Sequence, residues 1–284
     1  MSTLELISSR PARTDVEALV LAAACVDEAP TLVTDGAVTD GLDLESLAAA
    51  LPAVGFTGEL DAIVRLPADV LGPNAAAGCV LVVGTGPGPD AGSGDAAALG
   101  ATRPGVLRRA AGRAARELAG AGSAAFLLPA ARCDDLRAVA EGALVGAYAW
   151  SGRAPAPTAP LERVVVATPL AGSEESRAVQ TRATALAEST TLVRDLVNEP
   201  PNRLTPRVFA ERARALADDA GLEVEVLDET RLREQGFGGI IGVGQGSVHP
   251  PFLVRVSWAP ERPTQSIALI GKGITFDSGG LSLK

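Results

Sequence analysis

Lysine is almost missing from this chain: of 25 basic residues only Lys272 and Lys284 are lysine, and every other cation is arginine. A bias that replaces lysine wherever a plain positive charge suffices leaves it where a guanidinium cannot serve. Cysteine is scarce too. Cys25, Cys79 and Cys133 lie far apart with no CxxC spacing, which fits reduced thiols in a cytoplasmic protein and argues against a thiolate metal site. Aromatics are 3% of residues, so the apolar volume of a chain that is 47% hydrophobic must come from many small side chains packed closely. Long apolar runs are lacking as well. Ala18 to Val26 is too short to span a bilayer, and Asp15 and Glu17 precede it where a signal peptide carries positive charge. Ala22, Ala23, Ala24 and Cys25 echo a lipoprotein cleavage site, but those acidic flanks favour a buried strand. The formal net charge of −9 disfavours nucleic acid and anionic membrane surfaces, leaving small molecules or peptides as the expected partners.

What is present reads as alternating strands and helices, hence an α/β fold. Asp15 to Val26 and Gly78 to Gly84 are nearly continuous apolar strands of the kind buried on both faces of a parallel sheet. Phe126 to Leu128 and Arg163 to Ala167 are two more. Helical spacing runs from Val106 to Ala119 and from Asp134 to Trp150. The Pro-rich stretch Arg153 to Pro160 is a loop, and a domain boundary is expected near residue 172, giving domains 1–172 and 173–284. Ser173 to Val197 is a long linker helix, ended by Asn198, Glu199, Pro200, Pro201 and Asn202. Thr205 as N-cap and Pro206 at the first helical position restart a helix through Val208 to Ala220. Strands are expected at Glu223 to Leu227, Leu253 to Trp258 and Ile267 to Ile270.

Chemistry concentrates in the last fourteen residues, GKGITFDSGGLSLK, directly after the expected strand Ile267 to Ile270. Functional groups of α/β sheets gather at the carboxyl ends of strands. Lys272 stands there, Asp277 follows five residues later, and Gly279 and Gly280 let backbone pass close to a ligand. A lysine can lose its proton and become a neutral nitrogen ligand, or act as a compact ammonium against a developing oxyanion. With a free pKa of about 10.4, the first role needs a divalent cation to drive it. Asp277 would be the neighbouring oxygen ligand.

GKGITFDSGGLSLK resembles the signature of the leucyl (cytosol) aminopeptidase family, and LVNEPPNRLTP, Leu196 to Pro206, is similar to the start of that family's catalytic domain. EGALVGAYAW, Glu141 to Trp150, extends the likeness through most of the chain. The resemblance implies an N-terminal macro-like α/β domain, a linker helix, and the beginning of an α/β catalytic domain with a mixed central sheet. It implies a cytoplasmic metalloexopeptidase that releases N-terminal amino acids, with leucine-type preference, by metal-activated water. Two divalent ions are implied, manganese or zinc with magnesium as a further option, in a protein that is usually a hexamer. On the residues that match, Lys272 and Asp277 are implied as metal ligands and Lys284 as the catalytic lysine beside the scissile carbonyl. The family adds a further aspartate and an NTDAEGR segment after the lysine motif, which supply three more carboxylates and an arginine. Neither is found in these 284 residues. A dimetal site needs several anionic ligands, so this stretch is expected to be inactive alone and cut off before the site is complete.

Four other readings compete. Asp277, Ser278, Gly279 and Gly280 echo the run around a serine-protease nucleophile, but the single histidine, His249, lies between Val248 and two prolines in an expected loop. GTGPG at Gly84 to Gly88 and GVGQGS at Gly242 to Ser247 lack the ending of a phosphate-binding loop and are expected as turns. The arginines of Val106 to Ala119 have no interleaved aromatics for stacking on nucleic acid and fit a solvated or subunit-facing surface. Residues 1–172 as a macro-like ligand-binding module without peptidase activity remain the alternative.

Overall fold

The structure, a computed structural model, describes residues 2–8, 14–35, 38–87, 96–152, 158–262 and 264–276. They fall into two compact units, Met1–Arg194 and Asp195–Lys284.

In the first unit the apolar run from Ala18 becomes β2 (Ala18–Val26), whose first seven residues are buried. A strand with no polar face must be covered on both sides. Its neighbours are β5 (Cys79–Pro87) and β6 (Ser123–Phe126), both parallel to it, with Ala18 opposite Cys79 and Ala124. β7 (Arg163–Ala167) extends the parallel set and β1 (Thr3–Ile7) closes that edge. Two antiparallel strands make the sheet mixed: β4 (Ile63–Pro67) lies on β5, and β3 (Ala29–Val33) on the second half of β2. The order is β1-β7-β6-β2-β5-β4, with β3 beside β2.

The period of two along β2 divides the core. Ala18, Val20 and Ala22 pack toward α2 (Ala96–Glu117), α3 (Cys133–Gly146) and the first turns of α4 (Glu174–Asn198). Leu19, Leu21 and Ala23 pack toward α1 (Leu44–Ala53), through Leu47 and Leu51, and Leu71 of the short turn Ala68–Leu71. Helices on both faces of a mixed sheet result. With so few aromatics, α2 and α3 pack through glycine: a Cβ on Gly142 would lie 2.2 Å from the Arg108 carbonyl oxygen, and one on Gly146 2.3 Å from that of Gly112. That contact explains why EGALVGAYAW carries glycine at those two positions.

The second unit holds α5 (Pro206–Asp219), β8 (Glu223–Leu227), α6 (Glu229–Glu234), α7 (Gly238–Gly244) and β9 (Leu253–Ser257). Thr205 caps α5 as expected, its Oγ1 accepting from the Val208 N–H at 3.4 Å. β8 and β9 pair antiparallel, Glu223 opposite Ser257. No helix among the described residues is long and apolar enough to cross a membrane.

Three sequence expectations are corrected. Ile267 to Ile270 is not a strand: it joins no ladder among the described residues, and Leu269 and Ile270 are 94% and 95% exposed. A strand exists through its partner, and none is placed beside this segment. GTGPG is not simply a turn, because β5 continues through Gly84 to Pro87, and Gly84 lacks a Cβ where the Glu59 carbonyl oxygen would stand 1.8 Å away. Gly242 to Gly244 belong to the short helix α7.

Candidate functional site

The segment nominated for chemistry lies in the second unit, and residues 264–276 of it are described without regular structure. Lys272 is exposed. Its neighbour Gly273 has φ of 55°, the left-handed region that side chains disfavour, and an added Cβ would lie 3.4 Å from the Phe209 ring on α5. The backbone therefore turns at the residue after Lys272, against the helix that Thr205 starts. Asp277 and Lys284, with Ser278, Gly279 and Gly280, lie outside the described residues, so the lysine is the one nominated group with a described position.

Ion pairs tie elements of the second unit together. On β8, Glu225 receives Arg231 at 2.9 Å and Arg255 at 2.7 Å, tying α6 and β9 to one carboxylate. The Arg207 guanidinium lies 5.4 Å from the centroid of Phe252, just before β9. Glu199 holds Arg203 at 3.2 Å within the NEPPNR turn, and Leu204 N–H donates to the Pro200 carbonyl, so that the two prolines end one helix and lead into the next. The only histidine, His249, is exposed in the loop after α7, where its backbone N–H donates to Ser247 Oγ at 3.1 Å.

No group of three His, Cys, Asp or Glu residues converges among the described residues. One exposed lysine and no cluster of carboxylates do not fit a divalent centre, which needs several oxygen ligands to offset the ion's charge. The described residues alone therefore form no metal site.

In the first unit, sequence reasoning missed Glu141, which is 4% exposed on α3. Arg108 donates to its Oε2 at 2.6 Å, and Arg182 of α4 stands 3.9 Å from Oε1. Burial of a carboxylate needs such partners, but a Glu in an Ala-rich helical pattern carries no mark of its depth. Arg194 stacks 3.9 Å from the Tyr148 ring centroid and donates to the Val145 carbonyl at 3.1 Å, securing the end of α3.

Residues 191–284 match the cytosol aminopeptidase family, catalytic domain. A probable cytosol aminopeptidase of Leifsonia xyli subsp. xyli (strain CTCB07) is 45% identical over 99% of this chain and 52% of its own length. The bottromycin maturation enzyme BotP is 34% identical with a TM-score of 0.66, covering 94% of this chain and 51% of that one, and it has also been solved in complex with Mn. A tomato leucine aminopeptidase mutant shares the fold at a TM-score of 0.71 and 22% identity, over 98% of this chain and 55% of that one. The mixed-sheet α/β architecture is thus that of leucine aminopeptidase structures, and the chain belongs to the cytosol aminopeptidase family. It spans about half the length of the relatives it matches.

Proposed function

We propose that the whole protein is a cytoplasmic aminopeptidase that removes N-terminal residues, leucine among them, from peptides, and that it works as a homo-oligomer of the hexameric kind. The observation that carries this reading is the match of residues 191–284 to the family's catalytic domain, ending on a segment that holds both lysines of an otherwise lysine-free chain. Residues 1–172 form the macro-like domain of this proposal, the helix after 172 is the linker, and the catalytic domain begins beyond it. Lys272 and Asp277 serve as ligands to two divalent ions, manganese or zinc in preference to magnesium, and Lys284 is the catalytic lysine. The remaining ligands come from sequence other than these 284 residues. Manganese has support in the related BotP structure solved with Mn.

The nucleotide-binding alternative for residues 1–172 has less support. Anions bind α/β sheets beyond the carboxyl ends of the strands. There, just past β6, the N–H groups of Ala130 and Ala131 already donate to Asp35 Oδ2 at 2.5 and 2.8 Å. Titration with ADP-ribose should therefore give no saturable binding at these strand ends, and Asp35→Ala should leave any binding elsewhere on the unit unchanged.

Leucine-amide hydrolysis by the full-length protein tests the peptidase reading. It should be lost on chelation and return with added manganese or zinc. Hydrolysis that ignores chelators and is abolished by a serine-directed reagent would assign the chemistry to Ser278 instead.

A further inference from the structure

The first unit carries a feature that the peptidase reading does not use. α2 and α3 touch backbone to backbone at Gly112, Gly142 and Gly146, and this contact leaves an open trough of about 410 Å³ along the crossing. Its floor is short of side chains, with Val145 and Leu186 adding apolar surface. Its rim is cationic. Arg109, Arg113 and Arg116 recur on α2 at spacings of four and three, which places them on one side of the helix.

The local charge does not cancel. Arg108 pairs with Glu141, Arg109 with Asp61, and Arg113 with Glu117 at 2.9 Å. Arg182 only shares Glu141, from 3.9 Å, and Arg116 enters no ion pair among the described residues. Four guanidiniums, of Arg108, Arg109, Arg113 and Arg116, thus line the trough with two carboxylates, Asp61 and Glu141, a positive pool on a chain of net charge −9. Asp61 reports the same field: its carboxyl is held below the ordinary aspartate value first by the Arg109 hydrogen bond, then by the charges of Arg109, Arg113 and Arg116.

We propose that this trough binds a small polyanion of the di- or triphosphate class. Guanidinium forks engage phosphate oxygens in pairs, and Arg116, which lines the trough and enters no ion pair among the described residues, reaches a ligand without breaking an existing pair. The volume suits a small molecule. A long duplex is disfavoured by the net charge and by the lack of aromatic residues in the lining for stacking.

Calorimetric titration of inorganic tripolyphosphate into the 284-residue chain, at about 0.15 M salt so that diffuse attraction is screened, tests the proposal. Wild type should show saturable one-site binding. Arg113→Ala/Arg116→Ala should weaken it about tenfold or more, while Arg255→Ala, which removes a guanidinium from the second unit, should leave it unchanged. If circular dichroism shows the double variant unfolded, Arg116→Ala alone decides, since it removes none of the ion pairs described. Absence of saturable heat in wild type, or equal weakening by Arg255→Ala, would overturn the proposal. So would indifference to tripolyphosphate together with duplex-DNA binding that needs Arg113 and Arg116.

Discussion

At the scale of single residues, the two lysines carry the most specific expectations. Lys272→Arg puts a permanent guanidinium where a neutral nitrogen ligand is proposed, so the full-length variant should lose metal and rate together. Lys284→Arg keeps a cation but changes its reach and shape. It should hold metal content near wild type while turnover falls about 10²-fold or more, as with other oxyanion donors. Metal analysis beside turnover numbers separates the roles, and full metal with full rate in Lys272→Arg would remove it from the ligand set. Asp61 allows a pH test. Its folded pKa is depressed by Arg109, so its contribution to stability is present above the unfolded value of about 3.9 and is lost as pH falls through the folded one. Asp61→Asn should therefore melt below wild type near neutral pH, and the gap should close on acidification. A gap that is constant with pH would mean the ion pair contributes nothing.

Among the elements, the α2 and α3 crossing is the most sharply constrained. Gly142→Ala and Gly146→Ala each force a methyl group into a backbone carbonyl on the facing helix and should cost about 1–3 kcal/mol or more in chemical unfolding. Gly105→Ala, with nothing within 4 Å of the added methyl, is the control and should stabilise by up to about 1 kcal/mol. Equal effects at all three positions would refute the close-contact explanation. Legibility also varied by element. β7 and β8 lie where their apolar runs and flanking turns place them, and Thr205 with Pro206 marked the start of α5, because those signals are local. β1, β3 and β4 went unread because they are half-exposed and only five residues long, so their identity depends on the strand beside them. Ile267 to Ile270 failed in the opposite direction. Its apolar content reads as a strand, yet pairing is a property of two segments, and one segment cannot show it.

For the whole molecule, the family was legible because GKGITFDSGG and EGALVGAYAW encode chemistry and close packing in short stretches. The arrangement of the site was not, because the proposed dimetal centre would gather its ligands from distant parts of a chain. Residues 1–284 hold one lysine and one carboxylate of the proposed ligand set, and no acidic cluster is found among the described residues. Metal titration by calorimetry, run on the full-length protein and on residues 1–284 with leucine-amide turnover measured on the same samples, tests this division directly. The full-length protein should hold two manganese or zinc ions per chain and hydrolyse the amide, while residues 1–284 should bind metal weakly and leave the amide intact. Tight binding of two ions by residues 1–284 would contradict it and would place a complete ligand set within this sequence.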